Sequence, residues 1–434
     1  MTCPKRHILL ATLTACCIHA ALAAPEPSAA DSLASVWADS VDRQPLYMAG
    51  QLQVEAEQAE LQAVRRSALP ALEVEAGGDY GQRVRPGEER DRGLAARGEI
   101  IARVNWRLIE SGRNSRERAI ELAQAGALSR QAAHDLTFRA EVARLYVTAA
   151  ADAERAEILA SAETDFQTLN ESLRRRTAEG VAPTRLQLRA EEDEARRESH
   201  LNEARDAKAA GQIALALLTD RDHVHPHRLQ VHSPQPAGVI DWQDNPLLAE
   251  LDQEARRQQA QAEQLRRTDL WHLDLSTQTG PYFSGALDDG RKQEYFAGLR
   301  FTWRPDVAGV NRARATAEQR RAEATEAERA SLSDELQRRA ANLEEHLQWL
   351  DDRHAERTGL LERVQHRERA ERLRWREGLG DWSDFYAARQ NLLETRLEEL
   401  QWRRDTAMQL IEYAEVTNRL DDLSAWLGQA DSAP

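Results

Sequence analysis

From Gly112 to Gly180 the chain runs without a proline and is rich in Ala, Glu, Arg and Leu. A helix of this span is roughly 100 Å long at about 1.5 Å per residue, far longer than a globular domain needs. Ala119, Leu122, Ala140, Ala143, Tyr146, Val147, Ala150 and Ala153 recur along it at three- and four-residue steps, with Glu and Arg filling the remainder. Such a stripe suits a coiled coil or a wall of helices packed closely through Ala. Only 14 Pro and 21 Gly punctuate the 434 residues, so long helices replace the two or three compact domains that length alone suggests.

The same order of signals occurs twice. Gln44-Pro45 recurs as Asn245-Pro246, Gly112 as Gly309 and Gly180 as Gly378, at offsets of 201, 197 and 198. Each half also holds two segments that alternate apolar and polar residues, as half-buried strands do. Leu72, Val74, Ala76 and Tyr80 share one face, and Ile100, Ala102, Val104, Trp106 and Leu108 form the matching face of the partner segment. Trp271, Leu273 and Leu275, then Tyr295, Ala297, Leu299, Phe301 and Trp303, repeat the device. Strands of about 10 residues cross a membrane when tilted. The polar stretches Gly81–Gly98 and Gly280–Glu294 then read as exposed loops, and Tyr80, Trp106, Trp271, Tyr282, Tyr295 and Trp303 as interfacial aromatics. A soluble antiparallel sheet on a core shows the same alternation.

Gly180-Val181-Ala182-Pro183-Thr184 turns the first long helix back into one that runs from Leu186 to about Asp220. Gly378 to Ser383 does the same in the second half, where Asp381 or Ser383 is placed to cap a helix ending near Trp426. The expected organisation is therefore a signal peptide at 1–23, a first repeat at 24–232, a second at 233–428 and a tail at 429–434. The strand pairs fall at about 70–108 and 270–304, and the helical hairpins at about 112–220 and 309–427.

Lys5-Arg6-His7, the apolar run from Ile8 to Leu13 and Ala21-Leu22-Ala23 form a secretory leader with a small-x-small cleavage site. Leu13-Thr14-Ala15-Cys16 competes with it as a lipoprotein box, in which Cys16 becomes the lipidated first residue. All three cysteines (Cys3, Cys16 and Cys17) lie in this segment, so cleavage after Ala23 removes disulfides and thiol catalysis from consideration. A net charge of −15, with basic residues scattered among acids, argues against nucleic-acid binding. No long apolar run follows the leader, which excludes a multi-helix membrane transporter but not a β-barrel.

Four strands cannot close a barrel, since small membrane barrels need about 8. Closure by strands from several copies removes every free edge. The doubled order, the junction Val104-Asn105-Trp106-Arg107-Leu108-Ile109-Glu110-Ser111-Gly112-Arg113 and the phrase Val142-Ala143-Arg144-Leu145-Tyr146-Val147 resemble the TolC-like outer-membrane efflux and secretion channels over essentially the whole chain after the leader. That resemblance implies a mainly α fold with a small membrane β-barrel portion: four transmembrane strands per chain, two internal repeats and long antiparallel hairpins forming an α-barrel. It further implies a homotrimer in the bacterial outer membrane. Such trimers act as passive exit ducts for inner-membrane pumps joined through a periplasmic adaptor.

In that family acidic residues ring the closed end after the second turn. Asp384 falls on one such position, Asp381 lies nearby, and Ala387 stands where a second acid is often found. Together Asp381 and Asp384 are expected to form a negative constriction that favours cations; as a helix cap and a first-turn carboxylate they need no such role. The turn residues Arg176, Gly180, Val181, Gly378 and Leu379 resemble those that dock adaptor tips.

No catalytic residue, cofactor or metal site is expected. His223, His225, His227 and His232 surround Pro226 and read as a polar linker, with metal binding by the alternating imidazoles the weaker alternative; Asp351 to His354 lie on a charged helix, and Glu191 to Glu194 form a solvated run. Neither a phosphate-binding Gly-Lys loop nor a HExxH pair nor a GxSxG elbow occurs. The alternative from another class is an exported coiled-coil envelope scaffold without channel activity, which has no need of apolar strand faces.

Overall fold

The computed structural model describes residues 31–41, 45–81, 95–232, 240–268, 270–284 and 292–428. The leader with Cys16, the 429–434 tail and the side chains of Tyr80 and Tyr282 lie outside that description. Helices α1 (Leu33–Val41) and α2 (Pro45–Arg66) precede strands β1 (Ala71–Gly81) and β2 (Ala95–Glu110), then α3 (Arg113–Ala178) and α4 (Thr184–Thr219). Helix α5 (Pro246–Arg267) opens a second series of β3 (Trp271–Ser284), β4 (Lys292–Trp303), α6 (Val310–Arg376), α7 (Trp382–Val416) and the short α8 (Leu423–Trp426).

Local chemistry sets the element ends alike in both series. Pro45 and Pro246 open α2 and α5, where a missing N–H leaves no bond unmade. Residue Asp220 after α4 and Asn418 after α7 both turn into the left-handed region, at φ of 52° and 56°. Asn418 therefore stops α7 short of Trp426, where sequence periodicity placed its end. At 66 and 67 residues, α3 and α6 reach roughly the 100 Å expected.

Helix α3 is the axis of the chain. Its Ala140, Ala143, Tyr146 and Val147 are buried with Leu33 and Val36 of α1, Leu215 of α4, Leu410 and Ile411 of α7, and Leu423. Full burial of each large aliphatic side chain contributes about 1.5–3 kcal/mol. A second cluster, near the hairpin turns, gathers Phe166, Leu173, Leu201, Trp382, Phe385 and Tyr386. Small residues let α3 and α4 approach closely: a Cβ at Gly211 would lie 3.0 Å from that of Ala149.

The linker between the repeats is docked against this core. The Tyr146 hydroxyl donates to the Asp31 carbonyl (2.7 Å) and accepts from the His227 N–H (2.9 Å). Asp31 in turn accepts from the His225 N–H (2.9 Å) and the Arg221 guanidinium (2.6 Å). Among the described residues no group of three or more His, Cys, Asp or Glu is placed to hold a metal ion.

The four strands form one antiparallel sheet in the order β1-β2-β3-β4, so the two predicted pairs are joined through β2 and β3. They are 11, 16, 14 and 12 residues long, more than the alternation alone predicted. Pairing runs on through Gly98 opposite Phe283 and Gly280 opposite Glu294, which shortens the expected loops: backbone bonds do not require alternating side chains.

Leu72 opposes Val104, Leu275 opposes both Trp106 and Leu299, and Leu273 opposes Phe301, which brings the apolar positions of all four strands onto one face. A bulge between Arg107 and Ile109 places Ile109 opposite Leu273, on the apolar face, and leaves Leu108 without a paired position in β3. The other face carries Arg103 paired with Glu75 (2.9 Å) and Arg107 with Asp274 (3.3 Å). No helix among the described residues is long and apolar enough to cross a membrane.

Candidate functional site

The two hairpin turns, where the expected adaptor-contacting and gate residues gather, have the same backbone design. After α3, Gly180 takes a φ of 74°; its N–H bonds the Thr177 carbonyl at 3.0 Å and the Val181 N–H bonds that of Arg176 at 2.8 Å. After α6, Gly378 also sits at 74°, with its N–H on the Trp375 carbonyl at 3.1 Å and that of Leu379 on Arg374 at 2.8 Å. These paired bonds satisfy carbonyls that a helix end would otherwise leave without partners, and the positive φ selects glycine. Space does not: nothing lies within 4 Å of a Cβ added at either glycine.

Each turn presents one apolar side chain to solvent, Val181 at 71% exposure and Leu379 at 72%. Arg176 lies with its guanidinium 3.8 Å from the centroid of the Trp375 ring, so it stacks one turn region on the other. Trp375 was not singled out in the sequence, because a tryptophan in a charged helix carries no sign of its partner.

Asp381 is the N-cap of α7; its carboxylate accepts from the Ser383 N–H at 3.4 Å. Asp384 lies exposed in the first turn of α7, where the helix dipole favours a negative charge, and Ala387 is exposed one turn further on. Within one chain Asp381 is thus accounted for as a helix cap and Asp384 as a first-turn carboxylate, and both remain open to solvent.

Behind the turns, polar side chains tie the first hairpin to α7. The Tyr386 hydroxyl accepts from Arg197 (2.8 Å) and donates to Asp193 (3.1 Å). Arg197 also pairs with buried Glu163 at 3.3 Å and lies 4.0 Å from the Phe166 ring centroid. One turn along α7, Arg389 bridges Glu368 of α6 (2.6 Å) and Asp165 of α3. Sequence inspection missed this group, since its members are up to 226 positions apart and each alone looks like a solvated charge.

Burial pushes the Tyr386 hydroxyl from its ordinary 10.0 up to about 12, outweighing Arg197, which favours the phenolate. A raised value means that the folded form keeps its proton while the unfolded chain loses it. The associated stability is whole below pH 10 and is lost as pH rises through 12, to a total of about 2–3 kcal/mol. Melting curves from pH 9 to 12 should accordingly separate wild type from Tyr386→Phe, whose alkaline decline should be shallower; parallel declines would exclude this linkage.

No family model matches the sequence, and no curated protein matches it. Solved structures do. CusC, known from crystal structures describing folding and transmembrane channel formation, superposes with a TM-score of 0.76 at 14% identity over 89% of this chain and 92% of its own. The Campylobacter jejuni CmeC outer membrane channel gives 0.75 at 13% identity, over 99% of this chain and 96% of that one. The open Neisseria gonorrhoeae MtrE outer membrane channel gives 0.75 at 17%, over 90% and 89%. With its element order, sheet and hairpins matched over nearly its full length by these channels, the chain has the fold of the TolC-like outer-membrane channels.

Proposed function

We propose that this protein is the outer-membrane exit duct of a tripartite efflux pump or a type I secretion system. It passively conducts what an inner-membrane transporter and a periplasmic adaptor deliver. The observation that carries this is the sheet: one face exposes Leu72, Val74, Ile100, Ile109, Tyr295, Leu299, Phe301 and Trp303, while the other holds ion pairs. Water penalises such a face and lipid favours it, and strands of 11–16 residues suffice to span a bilayer. Three copies supply twelve strands, enough to close a barrel around the polar face. A scaffold without channel activity has no use for this surface.

The helical hairpins then extend into the periplasm and end at the two glycine turns. Val181 and Leu379 offer apolar knobs to an adaptor, and Arg176 holds the turns together. In the trimer Asp381 and Asp384 form the negative ring at the mouth. The cation-to-anion permeability ratio in planar bilayers should fall several-fold in Asp384→Ala, and an unchanged ratio would remove the ring.

The deciding experiment compares unheated with heated protein from purified outer membranes on a denaturing gel, with the mass of the mature N-terminus distinguishing cleavage after Ala23 from lipidation at Cys16. A heat-dissociable trimer in that fraction is the expected result. A soluble periplasmic monomer would overturn the duct and leave the scaffold.

A further inference from the structure

The four places where a strand meets a helix stand together along one edge of the sheet. Glu110 pairs with His272, and Trp271 with Trp303. The Ser111 N–H donates to the Trp271 carbonyl at 2.9 Å, the Arg304 N–H to that of Leu270 at 2.8 Å, and the Trp106 indole to that of Ala68 at 2.8 Å. Residues 65–70, 110–118, 263–270 and 304–314 are therefore neighbours, although they come from both series.

Their charge is opposite to that of the chain as a whole. These stretches hold ten arginines against five acids, in a protein with 58 basic and 73 acidic residues. Some of the arginines have local partners: Arg65 pairs with Glu121 at 3.0 Å and Arg267 with Glu263 at 2.9 Å. Arg66, Arg116, Arg118, Arg304, Arg312 and Arg314 are exposed and form no ion pair among the described residues. Nor do the helices call for all of them. Arg66 suits the C-terminus of α2, but Arg116 and Arg312 lie near the starts of α3 and α6, where the helix dipole disfavours a cation and neither first turn holds an acid.

Apolar surface adjoins these arginines. Trp303 ends β4 on the apolar face at 66% exposure, Arg304 follows it, and Val307 stands at 89%. Across the same edge Leu69 is 63% exposed. Guanidinium groups bordering apolar side chains match the headgroup layer of a bilayer, where phosphate and acyl carbon lie close together. A free anion would satisfy the charge alone and leave Val307 and Leu69 in water.

We infer that the arginine collar at the strand-to-helix junctions, centred on Arg304, Arg312 and Arg314, binds the phosphate headgroups of anionic phospholipids in the leaflet facing the periplasm. This rests on the membrane-spanning sheet proposed above and goes beyond it in naming a lipid class and the residues that select it.

The test uses the full-length protein extracted from outer membranes and placed in mixed micelles with equal amounts of phosphatidylglycerol and phosphatidylethanolamine, with native mass spectrometry counting the lipids retained. Phosphatidylglycerol should be retained roughly fivefold or more over phosphatidylethanolamine. Combining Arg304→Gln, Arg312→Gln and Arg314→Gln should bring the ratio close to one, whereas Lys at the same three positions keeps the charge and should keep most of the preference. Combining Arg185→Gln, Arg189→Gln and Arg196→Gln, at the far end of the hairpin in α4, removes the same charge and should leave the ratio unchanged. Equal retention of the two lipids by wild type, a ratio untouched by the collar Gln variant, or one lost equally in the far-end variant overturns the collar. Dissociation of the collar Gln variant into monomers makes another copy, not lipid, the partner of these arginines. Wild type that fractionates as a soluble periplasmic monomer overturns the membrane-spanning sheet as well.

Discussion

Arginine in place of Leu299 is expected to deplete the protein from the outer-membrane fraction. Leu299 lies in the middle of β4 opposite Leu275, on the apolar face, and is 67% exposed. If lipid covers that face, a guanidinium near the bilayer midplane costs about 2–4 kcal/mol per chain. In the proposed trimer three copies meet that penalty at once, so the unheated trimer should fall well below wild-type abundance. Ser276→Arg provides the control: Ser276 is in β3 opposite Asn105 and Gly298, on the face that carries Arg103 and Asp274. That variant should insert and assemble, with any change confined to conductance. Equal outer-membrane abundance for Leu299→Arg and wild type would remove lipid from the apolar face.

Truncation of Arg389 to alanine is the second large effect. Its guanidinium joins three helices by bridging Glu368 of α6 and Asp165 of α3, and Glu368 is only 2% exposed. Removing one partner of a buried pair strands the other charge, which costs about 3–5 kcal/mol where no alternative exists. Arg372 still reaches Glu368 at 2.5 Å and Asp165 is half exposed, so a loss of about 2–3 kcal/mol is expected here. Urea unfolding of the detergent-extracted protein, followed by helical circular dichroism, measures it. The double variant Arg389→Met, Glu368→Leu should recover most of the loss, because apolar groups of similar volume leave no charge stranded. If Arg389→Ala is as stable as wild type, the three-helix bridge carries no weight.

Much of the architecture was legible because its signals are local. Absence of proline and the Ala stripe specify α3, period-two alternation specifies the strand faces, and Gly180 and Gly378 mark the turns. What escaped depends on pairs distant in sequence. Nothing in Val104-Asn105-Trp106-Arg107-Leu108-Ile109 announces a bulge, since the extra residue exists only relative to β3, and the place of Ile109 on the apolar face was consequently missed. The end of α7 was placed ten residues late, because one Asn in a left-handed conformation interrupts a pattern that otherwise continues to Trp426. At the turns Asp381 was legible as the cap of α7, and its carboxylate accepts from the Ser383 N–H, whereas Arg176 was legible as a position but not as a contact, since the Trp375 face that it meets is set by tertiary packing.

The central seam of the sheet also sets an order of events. β2 and β3 meet at Glu110 opposite His272, so joining them closes a loop of more than 160 residues, with an entropic penalty of about 4–5 kcal/mol in a flexible chain. Within β1–β2 and β3–β4 the partners are near in sequence, and both could form early. The seam is favourable once α3, α4 and α5 have packed and carried the two strand pairs together, which shortens the effective loop. A chain that builds its helices first therefore keeps its greasy face divided into two narrow hairpins until late, when less of it is left waiting for its final surroundings.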